Sequence, residues 1–259
     1  MPRTLSLVCR VGGRFAFVAA VAAAAIAADV PLFPAPLHLV RRVEDPIANT
    51  TSQIDEYCTG NRIVTVDGYK TVVADYDKQE LLQIDRATST YSVARFDEIA
   101  AANALTLPAK RTAAQAATRW MTTVASGDRF EIASDTVKIE LAVDHRTPLS
   151  RKAFDALTGA SYPNASTPQQ DAVARAAARS RSVVAADAAE TYGIPVEQSI
   201  TFDVGTGGKL TIRNTIVSIT SDLPPPEVLA IPAGAKLVPS RAAQMRKFME
   251  ELKDPAPHP

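Results

Sequence analysis

Apolar and polar positions alternate with period two through two long stretches of the chain, and between them the apolar spacing lengthens toward that of a helix. Over residues 50–96 the alternation is broken at short intervals by turn residues. Arg62-Ile63-Val64-Thr65-Val66 runs into Asp67-Gly68 and resumes as Tyr69-Lys70-Thr71-Val72-Val73-Ala74. This predicts a hairpin, because Asp-Gly tolerates the positive φ of a type I′ turn. Asp75-Tyr76-Asp77-Lys78 and residues 86–89 mark two more turns, flanking strands at 81–85 and 90–94. With 53–58 ahead of them, these segments predict an antiparallel meander of about five strands.

Helical spacing follows at 97–104 and 110–126. In the second segment Ala113, Ala117, Trp120 and Val124 fall on one face, with Gly127 as the C-terminal stop. On that stripe Trp120 reads as an anchor of helix-to-sheet packing. Strands are expected at 129–133 and 136–143, the latter with Val137, Ile139, Leu141 and Val143 alternating with Lys138 and Glu140. A helix is expected at 149–157. Another is expected from Thr167 to about residue 191, opened by Thr167-Pro168-Gln169-Gln170 as N-cap, N1 proline and capping-box glutamine. Its inner face would hold Val173, Ala177, Ser180, Val184 and Ala188, with Asp171 and Arg175 paired outside. Val196, Ile200, Phe202 and Val204 alternate again, a Gly-rich turn at 205–208 leads to 210–212, and a phase shift before Val217 and Ile219 predicts a bulge near Asn214 or a second strand. A short amphipathic helix carrying Ala242, Met245, Phe248, Met249 and Leu252 closes the pattern.

Twelve of the 18 prolines fall within 31–46, 224–239 and 255–259, so they punctuate the fold. The first cluster reads as an extended, proline-rich linker over 28–48 and the last as a disordered tail over 254–259, leaving 49–253 as a single domain. Ahead of the linker, Arg3, Arg10 and Arg14 precede an apolar run over 15–28 with no acidic residue before Asp29. This is the pattern of a secretory signal peptide, expected over 1–27 with cleavage near Ala27, which places the mature chain in the periplasm or outside the cell. The run is shorter than the ~20 residues that span a bilayer.

The whole chain balances 28 basic against 28 acidic residues. Losing three arginines with the leader turns that zero into a net −3, so nothing supports nucleic-acid binding by bulk charge. Cys58 is the sole cysteine after Cys9 leaves with the leader, and it reads as a buried small hydrophobe. With three histidines in the chain, His38, His145 and His258, no metal site or cofactor is expected. His145 beside Asp144 reads as a surface loop residue, since no nucleophile elbow accompanies it. The glycines at 205–208 lack the spacing of a phosphate loop, and Asp75 and Asp77 lack the glycine and glutamate of a calcium loop. Catalytic residues are therefore not expected.

Three strings give the chain a resemblance: VVADYDKQELLQIDRATSTY at 72–91, YGIPVEQ at 192–198 and PPPEVLAIPAGAKLV at 224–238. In this order they resemble the LolA/LolB-like periplasmic lipoprotein-carrier superfamily, which shows an early Asp-turn-strand-Asp-turn-Tyr meander, a Gly-x-Pro entry to a late strand and a terminal Pro-x-Gly. The resemblance implies an α+β fold: a curved antiparallel sheet, an incomplete β-barrel, with helices packed over its concave face. It implies an exported, non-enzymatic protein accommodating an apolar or acylated ligand, a lipid or lipoprotein acyl chain, between sheet and helices, with peripheral association to the cell envelope. The apolar rows that would line such a space are Val137, Ile139 and Leu141, Ile200 and Phe202, and Ile212, with Trp120 above them. The same rows equally describe a filled core, in which case the chain is an envelope structural or interaction protein without a small-molecule ligand.

Overall fold

Each alternating segment of the early meander becomes a strand that hydrogen-bonds to the next. In the computed structural model the described residues are 30–46, 48–106, 119–158, 168–179, 190–203 and 208–253. By chain contacts Met1–Val30 and Pro31–Pro259 form two separate units, and the strands and helices belong to the second. Its strands are β1 (Phe33–Asp45), β2 (Thr50–Gly60), β3 (Arg62–Asp67), β4 (Lys70–Asp75), β5 (Glu80–Asp85) and β6 (Thr90–Arg95), followed by β7 (Met121–Ser126), β8 (Arg129–Ala133) and β9 (Val137–Leu149). The later strands are β10 (Ala178–Arg179), β11 (Thr191–Asp203), β12 (Lys209–Thr220) and β13 (Lys236–Leu237). The helices are α1 (Phe96–Thr106), α2 (Arg151–Thr158), α3 (Pro168–Ala177), α4 (Pro226–Leu229) and α5 (Arg241–Lys253).

Among the described residues all thirteen strands join one sheet, in the order β13-β6-β5-β4-β3-β2-β1-β12-β11-β9-β8-β7, with β10 paired to β11. Its two ends, β13 and β7, do not meet, so the sheet is open. All pairings are antiparallel except the short parallel one between β13 and β6. This agrees with the expected antiparallel sheet, which does not close into a barrel.

The expected linker is corrected from Phe33 onward, because residues 33–45 form the central strand β1, held between β2 and β12. Pro34 and Pro36 lie within the irregular part of the β1–β2 ladder, between Phe33 and Leu37, where missing N–H donors do least harm. Leu37 and Leu39 then face the core, Leu39 fully buried, which contributes about 1.5–3 kcal/mol relative to exposure. Proline spacing signalled a linker; the aliphatic alternation after Pro36 signals the strand.

The helix expected at 110–126 is also corrected at its C-terminal end. Residues 107–118 lie outside the described residues, and Met121–Ser126 is an exposed edge strand. Thr122, Thr123 and Val124 are β-branched and favour that conformation, and Gly127, at φ +52°, turns the chain into β8 instead of ending a helix. The helix opened by Pro168 gives way at Ala178, where β10 pairs with Tyr192 and Thr191. Val173 and Ala177 are buried as expected, whereas Ser180, Val184 and Ala188 lie outside the described residues, as do the leader at 1–27, the turn residues 204–207 and the tail at 254–259. Asp171 accepts a hydrogen bond from Arg151 of α2 at 2.9 Å, which joins α2 to α3.

β12 is one strand, and its phase shift is a bulge: Val40 pairs with Ser218 and Arg41 with Ile216, leaving Val217 unmatched. In the β3–β4 hairpin Asp67 pairs with Lys70, so the loop is Gly68-Tyr69 and only Gly68 has positive φ, not the two residues that type I′ requires. The next two turns repeat one device. Asp75 Oδ1 accepts from the N–H groups of Asp77 and Lys78 at 3.2 and 3.0 Å, and Asp85 Oδ1 accepts from those of Ala87 and Thr88 at 3.0 and 3.1 Å. Both four-residue loops close with a left-handed residue, Gln79 and Ser89.

One face of the sheet carries the main core. Leu37, Leu39, Cys58, Ile63, Ala74, Leu81 and Ala94 join Ile132, Ile139, Leu141 and Val143 in a cluster that includes residues of α1, α2, α3 and α5. Cys58 is buried there, and desolvation, reinforced by Glu56 and opposed by Arg41, pushes its thiol pKa well up. A smaller cluster of Tyr57, Val64 and Val73 occupies the other face, partly covered by Val228 of α4.

Candidate binding cleft

Two registered cross-strand pairs floor an opening between sheet and helices: Leu81 of β5 opposite Ala94 of β6, and Gln83 opposite Ser92. The opening is a cleft of about 510 Å3, walled by Ile99, Ala102 and Asn103 of α1, by Ser240, and by Arg241, Ala242 and Met245 of α5. Its volume follows from side-chain size. Ala94, Ala102, Ala242, Ser92 and Ser240 stand where leucine or phenylalanine would fill the space between sheet and helix.

The walls are fixed by helix ends. At the start of α1, Glu98 accepts from the Arg95 N–H at 3.1 Å, half of a capping box, and Asp97 adds a second acid to the first turn. At the start of α5, Ser240 Oγ accepts from the Ala243 N–H at 3.2 Å, and Gln244 Nε2 donates to the Pro239 carbonyl at 2.8 Å. α1 and α5 pack on each other, so cap and contact together hold Ile99, Ala102, Ala242 and Met245 over the floor. Phe248 and Leu252, expected on the same side of α5, point to solvent at 55% and 59% exposure.

The residues expected to line a ligand space come together, but elsewhere on this face. Ile139, Ile200 and Ile212 stand opposite one another across β9, β11 and β12, and Val137 stands opposite Phe202. Ile139 and Leu141 are fully buried, and Trp120, Val137 and Ile200 pack half-buried against the same core. None of the seven, Phe202 and Ile212 included, lines the α1/α5 cleft. Ala242 and Met245 were expected on the apolar side of the closing helix, but the cleft they wall was not, because small residues such as Ser92, Ala94 and Ser240 give no sign of the space they leave. A pairing of small residues on facing elements shows only after folding.

Two histidines occupy more structured places than expected. His38, placed in a linker by proline spacing, is buried in β1. His145, expected on a surface loop, lies in β9 with its side chain 9% exposed and Nε2 3.8 Å from Asp128 Oδ1. Gly193, in the YGIP string, sits against it: a Cβ there would come within 2.8 Å of His145 Nδ1. Among the described residues no group of three or more His, Cys, Asp or Glu side chains could hold a metal ion, and no helix is long and apolar enough to cross a membrane.

No family model matches the chain, and no curated protein matches it. Among solved structures, an uncharacterized conserved protein from Thermus thermophilus aligns over 80% of this chain and 92% of its own, at 9% identity and a TM-score of 0.39. PNGF-II in its C2 crystal form aligns over 84% of this chain at 7% identity and a TM-score of 0.37, and this chain spans 33% of its length. A LolA superfamily protein from Nitrosomonas europaea is a weak structural neighbour, covering 76% of this chain and 89% of its own at 8% identity and a TM-score of 0.28.

Proposed function

We propose that the chain is an exported, non-enzymatic binding protein that accommodates an apolar or acylated ligand, a lipid or lipoprotein acyl chain, between sheet and helices. The observation that carries this reading is the α1/α5 cleft. Its 510 Å3 falls within the roughly 300–1,000 Å3 of small-molecule pockets, and its apolar floor and walls, Leu81, Ala94, Ile99, Ala102 and Met245, suit a hydrocarbon chain. Gln83, Asn103 and Arg241 offer polar groups to a headgroup or ester. On this reading the sheet is an incomplete barrel, the face bearing the main core is its concave side, and α1 and α5 cover it. The Ile139–Ile200–Ile212 region is then the filled part of the same interior. The arginine-led apolar run at 15–28 supports export, and on this reading the ligand is met in the cell envelope or beyond it.

The test is titration of the leaderless chain with a fluorescent fatty acid displaceable by palmitate, paired with native mass spectrometry of protein taken from its export compartment. Saturable uptake and a co-purifying lipid are expected. Absence of both would overturn the proposal and leave an envelope interaction protein with a filled core.

A further inference from the structure

The apolar rows facing the helices are interrupted along a diagonal of the sheet. In register, Thr65 of β3 stands opposite Glu56 of β2, and Asn214 of β12 opposite Gln198 of β11; Arg41 of β1, itself opposite Ile54 and Ile216, lies one same-face step away from both Glu56 and Asn214. Same-face neighbours two residues away are apolar: Leu39 and Val43 flank Arg41, Ile54 and Cys58 flank Glu56, and Ile212 and Ile216 flank Asn214. Alternation alone would continue aliphatic side chains through these positions. Instead a polar belt crosses five strands on the core side.

Burying polar groups is costly unless each finds a partner, and here the balance is incomplete. Arg41 Nε donates to Glu56 Oε2 at 2.8 Å, and both side chains are 12% exposed. Asn214 Oδ1 is buried and accepts no hydrogen bond from the described residues. These side chains surround a cavity of about 300 Å3, roofed by α2 and α3 through Leu157, Val173 and Gln169.

The geometry points to a second site, separate from the apolar cleft, that takes an uncharged, hydroxyl-rich small molecule of the polyol or sugar class. The charge lining it sums to zero, because Arg41 and Glu56 are its charged residues and they neutralise each other, so an ionic ligand would enter without compensation. Asn214, Gln198 and Gln169 present amides, each able to give and accept hydrogen bonds. The unmet atom is an acceptor, which a ligand hydroxyl satisfies by donating. Ile54, Leu157 and Pro195 supply apolar wall for the C–H face that polyols carry beside their hydroxyls.

The test uses the leaderless chain with myo-inositol and glucose as probes and acetate as the charged control, read by saturation-transfer NMR and calorimetry. Saturable binding of at least one polyol and none of acetate is expected. Asn214→Leu and, independently, Gln198→Met are each expected to raise its Kd at least tenfold, with circular dichroism and fatty-acid uptake at the α1/α5 cleft unchanged. If neither polyol binds, Asn214 is satisfied by water and the site is overturned. Binding that both variants leave intact, or acetate binding as tightly as the polyols, overturns it equally. A chain that takes up fatty acid but no polyol refutes this site alone, and one that binds polyol but no fatty acid refutes the apolar cleft alone.

Discussion

His38 lies flat against Tyr57, their ring centroids 4.0 Å apart and their planes inclined by 8°, on the sheet face opposite Leu37 and Leu39. Its Nε2 is 3.0 Å from Asp55 Oδ1 and its Nδ1 is 3.2 Å from Thr220 Oγ1. Thr220 donates its hydroxyl hydrogen to Asp222 at 2.6 Å, so it accepts from His38 Nδ1. The ring thereby ties β1 to β2, the end of β12 and the chain leaving it. The Thr220 hydrogen bond, against a lesser desolvation penalty and with a smaller contribution from His38, holds the Asp222 carboxyl pKa below its ordinary value.

His38→Phe keeps the stack and deletes both hydrogen bonds. Asp55, whose side chain is 29% exposed, and the exposed Thr220 then exchange the ring for water, at a cost of about 0.5–1.5 kcal/mol. Urea unfolding at neutral pH should show that loss, and His38→Ala, which also removes the ring, should lose more. Equal stability of His38→Phe and the parent chain would show that the network contributes nothing.

Much of the sheet was legible in the sequence because alternation and turn chemistry agree there. Asp75 and Asp85 mark their turns by type, and Gly68 by its conformational freedom. What escaped was set by tertiary partners. Pro34 and Pro36 outweighed the aliphatic alternation of β1 until β2 and β12 were seen on either side of it. Trp120 and Val124 fitted a helical stripe, but Val124 instead pairs with Phe130 across a hairpin. The α1/α5 cleft left no trace, because a space between small residues has no periodicity. The polar belt was visible only as isolated exceptions, Arg41, Glu56 and Asn214, until strand pairing set them one same-face step apart on neighbouring strands.

Gly193 marks where β11 bulges past β9, the ladder shifting between Tyr192 and Ile194. A Cβ built there would lie 2.4 Å from Val143 Cγ1, 2.8 Å from the Asp144 carbonyl oxygen and 2.8 Å from His145 Nδ1. The carbonyl belongs to backbone and cannot rotate away. Gly193→Ala should therefore destabilise by about 1–3 kcal/mol, the usual cost of overpacking, seen as a lower Tm. Gly234→Ala offers a contrast, because a Cβ there meets nothing within 4 Å and any loss comes from its φ of +77° alone.

Asp75 gives the fold an acid dependence. Desolvation pushes its carboxyl pKa up, but the Lys78 backbone N–H, the Arg62 hydrogen bond and the charges of Arg62 and Lys78 outweigh that and hold it below its ordinary value. A carboxyl that ionises more readily folded than unfolded stabilises fully above the unfolded pKa, near 4, and loses that contribution as pH falls through the folded value. Asp75→Asn should cost about 1.5–3 kcal/mol at pH 7, since charged hydrogen bonds become neutral ones. Below pH 3 the difference between the two proteins should shrink, as measured by urea unfolding across pH. A constant difference from pH 7 to pH 2 would remove Asp75 as its source.

The α1/α5 cleft makes the sharpest demand, because one substitution separates a ligand space from a packing fault. Ala94 lies on its floor and Ala102 on its wall, both nearly buried. If the 510 Å3 between them is kept for a hydrocarbon chain, Ala102→Leu fills part of it without forcing neighbours aside. Stability should then hold or rise by about 0.5–2 kcal/mol, the usual gain from cavity filling. Fatty-acid affinity should fall about tenfold, and Ala94→Leu with Ala102→Leu should fall further. A loss of stability of about 1–3 kcal/mol would instead show that the space closes in solution, since overpacking carries that cost. Phe248→Ser, on the exposed side of α5, serves as the control, since a ligand held inside the cleft does not touch it.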